Sequence, residues 1–396
     1  MTARIVRCQR YHGRKLEEGI DAALGDLGID PAGRTVVIKP NIVIPAKPGS
    51  AIVTHPAVAE ALVNVLRRRG AGAITIAEGP GLGADEETFF KLSGYRDLAK
   101  RLGVPLVNLN RAERVVVPWK YGTIRLPKIV LEAGLYVNLP KMKTHGQTMV
   151  TLSLKNQKGL LSLGAKKQFH KLGLHEPLVE LAKVVHPHLV VTDGVVAMEG
   201  EGPLNGKRKR AGVLVMGTNQ LEADIVSCGV MGIDYRRVDH LVYGIGEKIG
   251  PEVPAVIGAP TIAEARKPFV EANQRYGKLL NIYSWRDPHA CSMCIDSFSL
   301  AVKHAIRHPG YWFTFMPRFT YYALFRQLNI ITGKQPQVPG VPGEVICLGD
   351  CTRELAEEKG ARHVPGCPPD RDAILGVFRR SGTGQAATRE NPPEQE

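Results

Sequence analysis

From Thr35 onward, short apolar runs alternate with stretches whose apolar residues recur at helical spacing, and this alternation constrains the fold more than any other feature. Residues 35–39 (TVVIK) read as a buried strand. Residues 56–69 carry a helical pattern with Thr54 as N-cap and Gly70 as stop. AITIA (73–77) is a second strand, a helical stretch covers 86–102, and VPLVNL (104–109) is a third strand. This β-α-β-α-β order predicts an α/β fold, with a mainly parallel sheet and helices on both faces. RVVVPW (114–119) with GTIRL (122–126), GLYVNLPK (134–141), HLVVTDG (188–194) and VLVMG (213–217) add strands, and 221–231 adds a helix. The first α/β lobe so defined spans 1–260.

A second lobe is expected over 285–380. Its text runs from CSMCIDSFSLAVKHAIRH (291–308), a loop entering a helix, through an aromatic insertion at 310–328, to the strand and loop EVICLGDC (344–351). Another strand and loop, ending in VPGCPP (364–369), and a last helix complete it. The polar tail 381–396 is expected to be disordered.

Composition narrows the classes. With 396 residues, 44% hydrophobic and 23% charged, the chain can bury a core, which excludes disordered, collagen-like and disulfide-scaffold classes. No run of about 18 uncharged apolar residues suggests a membrane-spanning helix. Residues 1–27 are charged and lack the apolar stretch of a secretory signal, so the expected location is cytoplasmic. The net charge of +14 favours anionic partners, above all a small anionic substrate. Nothing beyond charge points to nucleic acid, and KRKR (207–210) reads as a solvated loop. The eight aromatic residues between 311 and 325 would suit peripheral contact with a membrane surface, a partner protein or a flat cofactor, or else a core helix over the cysteine site.

Cysteines stand at 8, 228, 291, 294, 347, 351 and 367. Cys347 lies within an apolar run and reads as a core thiol; Cys8 and Cys228 carry no pattern. Cys291 and Cys294, three apart, can bind one metal centre, and Cys351 and Cys367 reach it from two other strand-end loops. Four thiolates on three converging loops match a [4Fe–4S] cluster, with zinc as the alternative ion. Gly349, two residues before Cys351, would let the backbone turn close to a cluster. CSMC, LGDC and VPGCPP, in that order, resemble the cluster module of [NiFe]-hydrogenase small subunits and the related subunit of respiratory complex I. The resemblance covers about 100 residues. It implies a flavodoxin-like cluster-binding lobe and the ligands Cys291, Cys294, Cys351 and Cys367. The chain departs from the module in having Asp296 rather than a glutamate after the CxxC, and it has no further cluster motif.

In the first lobe, polar residues gather where strands end, which is where an open α/β sheet builds its pocket. Lys39 and Asn41 follow one strand and precede His55. Lys141, Lys143 and His145 follow another, then Lys155, Asn156 and Lys158, and Asp193 and Glu199 follow a third. His145 can act as general acid or base with Lys143 beside it, and Asp193 or Glu199 can orient such a histidine or bind a metal. Lys39, Asn41, His55, Lys141, Lys155, Asn156, Lys158 and Glu199 are candidates for holding the substrate. The glycine-rich 79–83 segment can cradle a phosphate or form a plain turn, and matches no nucleotide motif. The elements KPN (39–41), THP (54–56), LPKxKTH (139–145), LKNxKG (154–159) and DGxxxxEGxGP (193–203) together resemble a prokaryotic family, the domain of unknown function number 362. Many members append a ferredoxin-like CxxCxxCxxxCP segment, which this chain replaces with the three-loop pattern. The family implies iron–sulfur company without a reaction. Two functions are therefore expected: an iron–sulfur redox enzyme acting on an anionic small molecule, or a non-enzymatic electron-transfer or metallocofactor-assembly protein docking an acidic redox partner.

Overall fold

The structure, a computed structural model, describes residues 2–11, 14–81, 86–272, 276–287, 293–333 and 342–378. Cys291 and the C-terminal tail therefore lie outside the described residues. The chain divides into two compact units, Met1–Gln274 and Arg275–Glu396.

Strands of the first unit are β1 (Ala3–Arg7), β2 (Val36–Pro40), β3 (Ile74–Glu78), β4 (Leu106–Asn108), β5 (Arg114–Trp119), β6 (Gly122–Pro127), β7 (Leu135–Leu139), β8 (Lys141–His145), β9 (Met149–Thr151), β10 (Leu189–Glu199), β11 (Lys207–Lys209), β12 (Val213–Gly217) and β13 (Val256–Ile257). The main sheet has the order β13-β1-β12-β10-β7-β2-β3-β4, while β5 and β6 form a separate hairpin. Pairs from β10 to β4 are parallel; β12 runs antiparallel to β10 and β1. Side-chain alternation sends neighbours to opposite faces. Val36 and Ile38 join one core with Leu62 and Leu66 of the helix Pro56–Arg68. Val37 joins another with Tyr136, Leu178 and Phe169. Strands buried on both faces give the near-continuous apolar runs seen in the sequence.

Several boundaries differ from the sequence reading, each for a local reason. The helix Pro56–Arg68 is capped by His55, whose Nδ1 accepts from Ala57 N at 3.2 Å. The expected cap, Thr54, instead bridges two strand ends: its Oγ1 accepts from Asn41 N and donates to Leu139 O. The helical stretch 86–102 is two helices, Glu86–Leu92 and Tyr95–Leu102, because Gly94 between them has φ of 78°, in the left-handed region. The basic run 207–210 contributes β11, paired with β10, rather than a loop. The expected strand 134–141 divides at Pro140 into β7 and β8.

Strand β8 shapes the site. It continues beyond β7 along the flank of β10, opposite Asp193 and Met198, and turns back into β9. Its sequence KMKTH alternates, so Lys141, Lys143 and His145 share one face. Met142 packs on the other face against the core of Val150 and Leu152.

The second unit has the sheet β14 (Tyr276–Leu279), β15 (Ile282–Arg286), β16 (Leu328–Thr332), β17 (Glu344–Leu348) and β18 (Arg362–Val364). These lie in chain order, antiparallel for the first pair and parallel thereafter. It is again α/β. A flavodoxin-like sheet reverses its order after the first strand, and this one does not. The helix Met293–Arg307 and the helix Met316–Phe325 cover one face, with Phe298, Phe315 and Phe319 packed on Leu328, Ile330 and Ile346. Cys347 is a core residue beside Ile331 and Ala356, and Cys228 and Cys8 are also buried in apolar clusters.

Candidate functional site

The polar groups of β2, β7, β8 and the turn after β9 meet in a buried network in the first unit. Lys39 is fully buried and forms an ion pair with Glu78 at 2.6 Å. Burial pushes the Lys39 ammonium down and the Glu78 carboxyl up, while each opposes the other's shift. Asn156 sits at the centre. Its Oδ1 accepts from Asn41 Nδ2 at 2.9 Å and Lys39 Nζ at 3.2 Å, and its Nδ2 donates to Asn138 Oδ1 at 2.7 Å. A Cβ on Gly159 would meet Lys39 Nζ at 2.5 Å and Glu78 Oε2 at 2.9 Å, so a larger residue there would have to displace the ends of this ion pair.

A second pair, Lys141 and Asp193, is also fully buried, at 2.7 Å. Asp193 additionally accepts from Tyr11 OH at 3.1 Å and from His55 N at 3.0 Å. The Tyr11 ring stacks on the His55 ring with centroids 3.8 Å apart. Asp193 thus anchors Lys141, Tyr11 and the start of the helix Pro56–Arg68. It holds a lysine rather than orienting His145.

Lys143 differs. It is fully buried, and its one hydrogen bond runs from Nζ to Ile52 O at 2.8 Å. Burial pushes its pKa well down, and the neighbouring cations Lys155 and Lys141 push further in the same direction. Across the ladder, its partner is Thr151, whose Oγ1 is buried and unbonded. Asn41 Oδ1 is another buried acceptor without a partner. Buried polar atoms left unpaired each cost about 1–3 kcal/mol, and a bound polar molecule would recover that cost.

His145 closes the row. Its Nδ1 accepts from Gln147 N at 3.0 Å and Thr148 N at 3.3 Å, which places the proton of a neutral ring on Nε2. Nε2 lies 2.7 Å from Lys155 Nζ. Lys155 and Asn156 belong to the helical turn Ser153–Asn156, whose first amides donate to Asp224 Oδ1 at 2.7 Å and Oδ2 at 2.9 Å. Burial lifts the Asp224 carboxyl to about 8.

The structure brings together Lys39, Asn41, Lys141, Lys143, His145, Lys155, Asn156 and Asp193 within this connected set. Lys158 is half-buried on the same turn. Glu199 is turned elsewhere: its Oε2 accepts from Val270 N at 3.0 Å and pairs with Lys209 at 3.2 Å. The glycine segment's first residues are packed for close approach, with Pro80 O accepting from Asn110 Nδ2 at 2.9 Å; residues 82–85 lie outside the described set. Glu78, Asn138, Asp224 and Tyr11 are members that sequence reasoning missed. Glu78 ends an apolar strand, which is the signal that singles it out, whereas Asp224 shares its helix with Gln220, Glu222 and Ser227 and carries no such mark. Tyr11 offers none.

In the second unit, the loops after β17 and β18 are joined. Gly349 N donates to Val364 O at 2.9 Å, and Gly366 N donates to Asp350 Oδ1 at 2.7 Å. A Cβ on Gly349 would lie 2.6 Å from Cys294 Sγ and 3.7 Å from Cys351 Sγ, so two expected ligands flank one glycine whose φ is 98°. Cys367 is half-buried on the adjoining loop. Among the described residues no group of three His, Cys, Asp or Glu side chains forms a metal-binding set.

Residues 36–229 match the family model described as a domain of unknown function, DUF362. A protein of Synechocystis sp. described as thylakoid-associated is 28% identical over 343 residues, covering 83% of this chain and 98% of its own. That coverage exceeds the first unit, so the likeness runs into the second. Among solved structures, the lactate racemase apoprotein of Thermoanaerobacterium thermosaccharolyticum aligns with a TM-score of 0.40 and 10% identity, over 95% of this chain and 89% of that one. No helix among the described residues is long and apolar enough to cross a membrane.

Proposed function

Residues 36–229 of this chain belong to the DUF362 family, and from that premise we propose an iron–sulfur redox enzyme whose first unit binds an anionic small molecule along β8. The observation that carries the reading is Lys143. This buried amine has a single carbonyl partner, stands between two other lysines, and faces an unbonded threonine hydroxyl. Lys39 and Lys141 have carboxylate partners already. A carboxylate or phosphate reaching Lys143 would supply the missing acceptor and compensate the extra positive charge. His145, its ring fixed by two backbone amides, then holds a proton on Nε2 beside Lys155 and can pass it to or from the bound molecule.

In the second unit, Cys294, Cys351 and Cys367 with Cys291 would hold one [4Fe–4S] cluster. When bound, such a cluster supplies one-electron transfer. The cytoplasm remains the compartment this reading favours; the relative described as thylakoid-associated makes a membrane-adjacent site the alternative.

The test is anaerobic purification, with iron and acid-labile sulfide analysis and EPR before and after dithionite. The reduced protein is then mixed with small carboxylates and phosphorylated acids while loss of the signal is followed. About four irons and four sulfides per chain, with reoxidation by one class of anion that Lys143→Met abolishes at unchanged iron content, is the expected result. Zinc without sulfide would end the redox reading. A full cluster that only a protein partner oxidises would replace the enzyme with an electron carrier.

A further inference from the structure

We infer that the aromatic surface around residues 312–325 docks the second unit onto an anionic lipid surface. An amphipathic surface helix normally turns its polar side to water. The helix Met316–Phe325 buries Phe319, Tyr322 and Ala323 and still exposes Tyr321, Leu324 and Phe325 on its other side. The turn before it adds two more: Phe313 is 89% and Trp312 53% exposed, and Phe325 is 77% exposed. The packed side of the segment answers the alternative that it covers the core, because Phe315 and Phe319 already do so. The outer aromatic side chains are surplus to that task.

Charge chooses the occupant. No Asp or Glu occurs between Asp296 and Glu344, whereas Lys303, Arg307, Arg318, Arg326 and Lys334 do. Arg307 and Arg326 are exposed beside the aromatic surface. Large amphipathic rings flanked by cations, on a stretch that carries no carboxylate of its own, suit the headgroup region of an anionic bilayer, and Asp372, which accepts from Tyr311 OH at 3.5 Å, lies against Arg371. A second copy of this face would bring like charges together, which disfavours self-association.

The experiment is co-sedimentation of the full-length protein with vesicles of phosphatidylcholine mixed with phosphatidylglycerol, and of phosphatidylcholine alone. Binding to the mixed vesicles, weakened by salt and absent with phosphatidylcholine, is expected. Phe313→Ser with Phe325→Ser should lower the bound fraction at least about tenfold, as loss of two buried rings implies. Iron content and near-ultraviolet circular dichroism should be unchanged. Arg326→Glu provides a second variant, also expected to weaken binding, should the double variant misfold. No sedimentation with the mixed vesicles, or equal sedimentation of the variants, overturns the inference. So does a dimer in sedimentation equilibrium that the double variant abolishes while vesicle binding persists.

Discussion

A buried lysine costs free energy in proportion to how poorly its charge is compensated, and Lys39 and Lys143 mark the two ends of that scale. Removing Lys39 would leave Glu78 buried without its cation. Lys39→Met is expected to lower the unfolding free energy by about 3–5 kcal/mol in urea titrations. Lys143 has no carboxylate partner to strand, so Lys143→Met should leave stability unchanged or raise it by about 1–4 kcal/mol, while anion binding is lost. Equal destabilisation by the two substitutions would refute this contrast. Asp224 offers a pH signature. Its carboxyl titrates at about 8 in the fold against an ordinary value of 3.8. The folded state therefore binds more protons than the unfolded one in that window, and stability falls as pH rises from 3.8 towards 8. Asp224→Asn should remove that slope. It should also cost about 1–3 kcal/mol at acid pH, because the amide replaces one acceptor facing the amides of Ser153 and Leu154. Urea midpoints measured across the pH range would show both effects.

At the level of elements, the apolar strands were legible because β2, β7 and β12 are buried on both faces and are written as continuous runs. Strand β8 has no apolar alternation to mark it as a strand, since its lysines and histidine occupy the alternate positions where a half-buried strand shows apolar residues. Its burial is made tolerable by Asp193 and Tyr11, which lie 52 and 130 residues from Lys141 in the sequence. Such long-range compensation has no local sequence mark. The turn that closes the network is equally exacting. Gly159→Ala would drive a methyl group into Lys39 and Glu78. It should therefore lower the melting temperature, with the largest loss of amide-exchange protection in residues 153–160 rather than in the sheet. Uniform loss across the first unit would argue against a local effect.

For the molecule as a whole, the two units divide the chemistry as well as the chain. The buried lysine network lies within Met1–Gln274, and the described cysteines that flank Gly349 lie within Arg275–Glu396. Residues 1–274 expressed alone should unfold cooperatively and contain no iron, whereas the full chain should carry the cluster. Iron in the shorter protein would relocate the centre. The sequential strand order of the second unit was not legible, since pairing order depends on which crossovers close over which face. The alternation of β8 has a last consequence, for inheritance. Removing or adding a single residue between Leu139 and His145 would invert every side chain beyond it, sending Met142 inward among the amines and the lysines into the hydrocarbon core. Relatives can therefore diverge in what they bind by exchanging residues at these positions, while the length of this segment stays locked.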